Sequence, residues 1–205
     1  MIREKIIDAC GGHKHSIVLT QSGKVHCMGK NECGQLGSGD EINKNFPFLI
    51  EPKWFNNEKI IQVKAGADFC VALTECGNIY MWGLILEQFD FYERPKKINL
   101  MNLKNDHATV IEAGKNDLLI LTKNNKIYCC GYNGFGELGI GNVRSQSIPI
   151  MIDTETYNNE KVVKISAGYR YTMLLTHTGN VYSCGENKSG NLGLVTLIQQ
   201  INFNV

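Results

Sequence analysis

The sequence predicts an all-β chain, a β-propeller of about four blades with four antiparallel strands in each. Three observations predict it. A glycine-anchored pattern recurs at Gly12, Gly66, Gly114 and Gly168, at intervals of 54, 48 and 54 residues. Each copy consists of short apolar runs of strand length, separated by turn residues. No window holds a 3.6-residue period of useful length; LVTLIQQINF near the C-terminus comes nearest and reads equally well as a strand. Four strands about every 50 residues is the period of a propeller blade.

The elements follow in order within each copy. A first strand precedes the anchor glycine: KIIDAC, KIIQVKA, TVIEA and KVVKISA. A second follows it: HSIVLT, FCVALT, DLLILT and YTMLLT, ending on Thr20, Thr74, Thr122 and Thr176. A tight turn comes next, with Gly23, Gly77, Asn125 and Gly179 in the same slot. Asparagine is the residue after glycine that best tolerates the left-handed region, so the one exception agrees with a hairpin. The third strand (KVHCMG, NIYMWG, KIYCCG, NVYSCG) closes on Gly29, Gly83, Gly131 and Gly185. Three copies then continue as KNECGQLG, YNGFGELG and ENKSGNLG, which places Gly34 and Gly37 in register with Gly136 and Gly139 and with Gly190 and Gly193. An outer strand is expected at PFLI and PIMI, led by Pro47 and Pro149, because proline suits the first residue of an edge strand. In the second copy Lys97–Leu100 takes that place, and no proline-led strand follows Gly193. The expected organisation is one repeat domain over 1–205, with repeats at approximately 1–52, 53–104, 105–155 and a truncated 156–205.

The glycine-rich run GKNECGQLGSGD, beside a lysine, raises the question of a phosphate-binding loop. Its recurrence at fixed phase answers it, since a nucleotide loop is needed once, ahead of one helix. Gly134–Gly139 matches G-x-G-x-x-G, but IGNVRSQSIPI follows it with no helical period. These glycines are backbone devices for tight turns and close chain approach.

The anchor glycine, the strand ending in threonine, the turn glycine, the strand ending in glycine and the G-Q-L-G loop together resemble the regulator of chromosome condensation repeat. The first copy, with His15-Ser16 and Asn31-Glu32-Cys33-Gly34-Gln35-Leu36-Gly37, is the nearest match. The resemblance implies a propeller, typically of seven blades, used for protein–protein contact. Its best-known member exchanges guanine nucleotide on the small GTPase Ran and binds chromatin; relatives occur within ubiquitin ligases, kinases and ciliary proteins. Four copies fall short of seven blades. An open arc leaves unpaired strand edges, which makes self-association through open propeller edges one way to cover them. A fragment or truncated relative is the favoured explanation.

Composition excludes several function classes. Lys+Arg 21 against Asp+Glu 20 gives a net charge of +1, so no global pull toward nucleic acid or anionic membrane is expected. The N-terminus lacks a signal-peptide core and no apolar run approaches membrane-spanning length, so a cytoplasmic or nuclear location is expected. The eight cysteines form no C-x-x-C pair and read as free core residues. Cys10, His13 and His15 lie too close in sequence for tetrahedral metal geometry, so no metal and no cofactor is expected. His15 shares its slot with Phe69, Asp117 and Tyr171, whose chemistries suit a structural role and no common catalytic one. G-x-S-x-G is absent. Carboxylates are read as not recurring in phase. No catalytic residue is assigned.

The second copy lacks the G-x-L-G loop and reads LILEQFDFYERPKKI after Gly83. Its aromatics and arginine, Phe89, Phe91, Tyr92 and Arg94, are the candidate partner-binding residues, because such side chains dominate interface energetics; packing over a degenerate blade is the competing reading. The expected function is a non-catalytic protein-interaction module whose blade loops meet a protein partner. The alternative is a guanine nucleotide exchange factor, or a fragment of one, for a Ran-like small GTPase.

Overall fold

The computed structural model describes residues 2–84, 91–103, 106–194 and 199–204. The chain is all-β, with four sheets of four strands, each strand beside its neighbour in sequence. The first sheet contains β1 (Ile6–Gly11), β2 (His15–Thr20), β3 (Val25–Gly29) and β4 (Lys44–Leu49). The second contains β5 (Ile60–Ala65), β6 (Asp68–Thr74), β7 (Ile79–Leu84) and β8 (Tyr92–Lys97). The third contains β9 (Ala108–Ala113), β10 (Asp117–Thr122), β11 (Ile127–Gly131) and β12 (Gln146–Met151). The fourth contains β13 (Val162–Ala167), β14 (Tyr171–Thr176), β15 (Val181–Gly185) and β16 (Gln200–Asn204). Packing divides the chain into two compact units, Met1–Ile98 with His107–Ile111, and Asn99–Asp106 with Glu112–Val205.

The central hairpins explain two of the repeated residues. In each turn the backbone N–H of Gly23, Gly77, Asn125 or Gly179 donates to the carbonyl of the preceding threonine, at 2.9–3.0 Å. Asn125 adopts φ 60°, the left-handed conformation its position demands. Three of the threonines also accept at Oγ1 from the backbone N–H four residues on: Lys24 at 3.2 Å, Asn78 at 3.1 Å and Lys126 at 3.0 Å. The hydroxyl closes the turn on its inner side, which is why threonine ends every second strand.

The third strand of each sheet meets the outer strand through an irregularity at its final residues, Cys27/Gly29, Met81/Gly83, Cys129/Gly131 and Ser183/Gly185. Gly29 there has φ 109°, and a Cβ on it would lie 2.5 Å from the Lys14 carbonyl oxygen. Gly131 repeats this, with φ 117° and 2.4 Å to the Asn116 carbonyl. A left-handed backbone and a close chain approach coincide at one position, so only glycine fits.

The outer strands correct the expected placement of proline. Pro47 and Pro149 stand at the fourth residue of β4 and β12 rather than the first. The second outer strand is Tyr92–Lys97 rather than Lys97–Leu100, with Pro95 in the same fourth position. Each proline lies on the outermost strand, between the irregularity and the next ladder pair, where no backbone N–H is required. The segment after Gly193 supplies β16, which pairs Gly185 with Gln200 and Ser183 with Asn204.

In the first unit the core runs through Ile17, Leu36, Ile50, Val63, Tyr80 and Trp82. The 3₁₀ turn Pro52–Phe55 adds Phe55, edge-on to Tyr80 at 5.5 Å and to Trp82 at 5.8 Å. In the second unit Leu118, Ile127, Leu138, Ile165 and Leu174 are buried, and the 3₁₀ turn Thr154–Tyr157 places the equivalent Tyr157.

Candidate functional site

Antiparallel order puts the turn between a sheet's first two strands and the loop between its last two at one end of the sheet. That loop is built around a buried asparagine. Asn31 Oδ1 accepts from Leu36 N at 2.8 Å, while its Nδ2 donates to the Asp40 carbonyl at 2.5 Å and to Ser38 Oγ at 3.0 Å. Asn133 accepts from Leu138 N at 2.9 Å and donates to the Asn142 carbonyl at 2.8 Å. Asn187 accepts from Leu192 N at 2.9 Å. All three asparagines are fully buried, and the leucines they hold are pressed into the core. Sequence reasoning quoted them within the repeat but gave them no role of their own, although each stands nineteen residues after its anchor glycine.

The loop also locks onto the following sheet of its own unit. In the first unit the Trp82 indole N–H donates to the Gln35 carbonyl at 3.0 Å, and Gln35 Nε2 donates to Asp68 Oδ1 at 3.0 Å. In the second unit Cys184 Sγ donates to the Glu137 carbonyl at 3.5 Å, and burial raises the pKa of the Glu137 carboxyl, with the nearby Arg170 among the groups opposing that rise.

The anchor glycines answer to a different cause. A Cβ on Gly12 would lie 2.1 Å from the His15 ring, on Gly66 1.8 Å from Phe69, on Gly114 2.3 Å from the Asp117 carboxyl and on Gly168 2.3 Å from the Tyr171 ring. The slot shared by His15, Phe69, Asp117 and Tyr171 is therefore a packing slot, filled by whatever covers the glycine. Two of its occupants have shifted protonation. Burial holds the His15 imidazole below its usual pKa, and its Nε2 sits 3.2 Å from Cys70 Sγ. Burial, and then the neighbouring Glu137, pushes the Asp117 carboxyl well up; its Oδ2 has no hydrogen-bond partner among the described residues. Cys10 Sγ donates to the Val63 carbonyl at 3.3 Å. No three His, Cys, Asp or Glu side chains among the described residues are arranged to hold a metal ion.

Carboxylates do recur in phase, which corrects the sequence reading. Glu4, Glu58, Asp106 and Glu160 each stand eight residues before an anchor glycine. Glu4 takes Ser22 and Lys24 of the following hairpin; Glu58 takes Asn78 Nδ2 at 2.7 Å and Tyr80 OH at 3.2 Å. Asp106 accepts from Asn124 N at 3.3 Å, and Glu160 takes Asn180 Nδ2 at 2.8 Å and Tyr182 OH at 2.9 Å. They fasten the hairpin turns at the opposite end of the sheets, and each is bound to hairpin donors of its own sheet.

Of the candidate partner-binding residues, Phe89 lies outside the described residues. Phe91 is half-buried just before β8, Tyr92 opens that strand and is 37% exposed, and Arg94 is exposed on it. The Arg94 guanidinium lies 4.3 Å from the Trp54 ring centroid, which Lys53 also approaches at 5.4 Å. Lys96 covers the Tyr92 ring at 4.2 Å. Tyr92, Arg94 and Lys96 are all exposed on β8, with the cations set against the Trp54 and Tyr92 rings.

Comparison with known proteins finds the regulator of chromosome condensation (RCC1) repeat at residues 22–73 and 124–175, and a second pattern of the same repeat at 6–35, 109–137 and 162–191. The ultraviolet-B receptor UVR8 of Arabidopsis thaliana is 31% identical over 94% of this chain and 43% of its own length. Among solved structures, human WBSCR16 aligns with TM-score 0.89 at 22% identity, over 100% of this chain and 53% of that one. Prp20p of Saccharomyces cerevisiae, whose structure was described with its binding properties to Gsp1p and histones, aligns with TM-score 0.83 at 22% identity, over 51% of its length. The chain spans less than half the length of the curated relatives it matches, 43% of UVR8 and 25% of the Xenopus laevis RCC2 homolog.

Proposed function

Because the chain belongs to the regulator of chromosome condensation repeat family, we propose that it is a non-catalytic protein-interaction module that presents loops and outer strands of its blades to a protein partner. One observation carries the reading. The side chains that recur are consumed by the fold, as clasps and turn caps, and the varied occupants of the glycine-covering slot are spent on packing, whereas the other side chains that differ between copies stand exposed at the sheet ends and on β8. Specificity then belongs to the second class. We assign Tyr92 and Arg94, with Phe91 and Phe89 beside them in sequence, to a partner-contacting patch. The four repeats act as one domain over 1–205, located in the nucleus or cytoplasm, and self-association through open strand edges is the competing use of the same scaffold.

The exchange reading is favoured by the structural likeness to Prp20p, described as binding Gsp1p. One experiment separates the two. A Ran-like GTPase loaded with a fluorescent guanine nucleotide is mixed with the chain, and both nucleotide release and complex formation are followed. A stoichiometric complex with unchanged release supports the interaction module. Accelerated release at substoichiometric chain overturns it in favour of exchange, because a catalyst acts through differential binding of partner states and turns over. Light scattering on the same sample reads self-association, and dimers would assign the exposed edges to a second copy.

A further inference from the structure

At the loop end of the second unit, cations and aromatic rings gather that the repeat does not call for. Arg170, in the β13–β14 turn, places its guanidinium 4.2 Å from the Phe135 ring centroid and 5.0 Å from that of Tyr169. Lys115, in the β9–β10 turn, reaches Tyr169 at 4.7 Å, and Lys188 reaches Phe135 at 6.0 Å. Tyr132 lies 6.3 Å from Phe135. These rings fill no core: Tyr169 is 59% exposed and Tyr132 39%.

Two facts mark the cluster as recognition chemistry. The first is its absence from the first two copies. The slots of Lys115 and Tyr169 hold His13 and Ala67 there, the slot of Arg170 holds Lys14 and Asp68, and the slot of Phe135 holds Cys33. The same backbone closes without these side chains, so packing does not require them. The second is unbalanced charge. Three cations, Lys115, Arg170 and Lys188, face two carboxylates among the described residues, Glu137 by Arg170 and Glu186 at 3.5 Å from Arg170 and 3.8 Å from Lys188. Glu137 lies beneath Arg170, and burial raises its pKa. At the first unit's loop end two lysines are matched, Lys30 with Glu32 and Asp68 and Lys44 with Asp40, while Lys14 makes no ion pair among the described residues.

We propose that this cluster docks an acidic segment of a partner protein, whose carboxylates meet Arg170, Lys115 and Lys188 while its neighbouring side chains lie on Tyr132. This rests on the interaction-module reading and adds the chemistry of the partner. A guanidinium held against a ring has fewer conformations to lose on binding, and a carboxylate can take it through two parallel hydrogen bonds. Arginine and tyrosine are also the side chains that concentrate interface energy. A nucleic acid fits less well. Single-strand binding needs ring faces open for bases, and here Phe135 and Tyr169 each already carry two cations.

The test uses the whole 205-residue chain and fluorescence anisotropy at low salt with three labelled probes: oligoglutamate, oligolysine and oligothymidylate. Oligoglutamate is expected to bind and oligolysine not. Arg170→Ala and Lys188→Ala should each weaken oligoglutamate by about fivefold or more, and Tyr169→Ala by about threefold, whereas Lys59→Ala should change it less than about twofold. Lys188 and Tyr169 are well exposed, so their variants keep the test valid if Arg170→Ala fails to fold. Wild-type chain that ignores oligoglutamate, or variants that bind it like wild type, overturn the proposal. So does tighter binding of oligothymidylate with the same residue dependence, which would assign the cluster to nucleic acid. None of these results alters the GTPase experiment, so the two readings fail separately.

Discussion

Replacing Asp117 by asparagine should stabilise the second unit, and by more as the pH rises. Asp117 is 2% exposed and packs on Gly114, with Oδ2 unpartnered among the described residues. Burial raises its pKa, the negative Glu137 raises it further, and the backbone near Asn116 opposes them weakly. Cys129, Cys130 and Cys184, which also interact with it, are themselves raised by burial, Cys130 to about 12, and stay neutral. The folded pKa thus lies above the ordinary value of 3.8. Between those two values the folded state binds the proton the unfolded chain has released, so stability is complete below 3.8 and is lost as pH rises through the folded value. Each unit of separation withdraws about 1.4 kcal/mol, which is about 4 °C in Tm for a chain of this size. The amide carries no such slope; its extra N–H donors cost about 1 kcal/mol at every pH if unmatched. The assay is thermal melting of both proteins from about pH 4 to about pH 9, a span that begins near the unfolded carboxyl's titration and follows the difference in bound protons upward. The variant should equal or trail wild type at the acid end and overtake it toward the alkaline end. The surface carboxylates titrate in both proteins and cancel in the difference, whereas Glu137, which interacts with Asp117, is relieved in the variant and adds to the same slope. Parallel melting curves across the range would refute a protonated, buried Asp117.

Further outcomes follow from the same geometry. Asn133→Ala strands the Leu138 N–H and the Asn142 carbonyl, and should lower stability by about 2–4 kcal/mol in urea unfolding; an unchanged midpoint would mean the loop does not depend on its clasp. Gly139→Val, with φ 65° and a Cβ 2.4 Å from Phe203, should cost more than Gly193→Val, with φ 70° and nothing within 4 Å among the described residues, by at least about 1 kcal/mol; equal losses in thermal melts would make backbone strain the whole cause. Glu160, bonded by Thr176, Thr178, Asn180 and Tyr182, has its pKa lowered from 4.5 to about 2. Its contribution is therefore present above 4.5 and lost as pH falls through about 2, so Glu160→Gln should flatten the acid limb of the melting profile between those values; an unaltered acid limb would show that those bonds do not favour the ionised form.

The fold was legible because its repeated residues each meet a hard constraint: a turn that needs left-handed backbone, a threonine that closes it, a glycine under a ring. Such constraints leave identical letters at identical spacing. The outer strand of the second sheet was misplaced because its constraint travels with the loop. Fifteen residues separate Gly29 from Lys44, Gly131 from Gln146 and Gly185 from Gln200, but nine separate Gly83 from Tyr92. The six missing residues, equal to the shortfall between the second and third anchors, fall wholly in this connection, so Pro95 moves forward with its strand. The phased carboxylates were missed for a subtler reason. Glu4, Glu58, Asp106 and Glu160 do one job through different donors, and Asp106 has a shorter arm that reaches a backbone N–H in place of a side chain.

The loop-end cluster shows why a site of this kind stays invisible in sequence even when the fold is plain. Lys115, Phe135, Arg170 and Lys188 come from four separate connections, and repeat phase says only which end of a sheet each occupies. Their meeting depends on how a loop seats on the turn of the next sheet. That joint exists in both units with different chemistry: Gln35 donates to Asp68 in the first, whereas Glu137 lies by Arg170 in the second. An amide facing a carboxylate satisfies its donors locally and leaves an ordinary polar surface. A buried carboxyl beside a guanidinium has its ionisation opposed by burial and favoured by the arginine, and the guanidinium still reaches the surface, where it meets Glu186. The aromatic rings then hold that charge in place at the surface. A structural joint thereby becomes a recognition element through two substitutions, Gln to Glu in one slot and Asp to Arg in the other. Reversing them together, Glu137→Gln with Arg170→Asp, should keep the joint closed, because the first unit already closes it that way, while abolishing capture of oligoglutamate. Retained capture in a folded double variant would place the docking chemistry elsewhere.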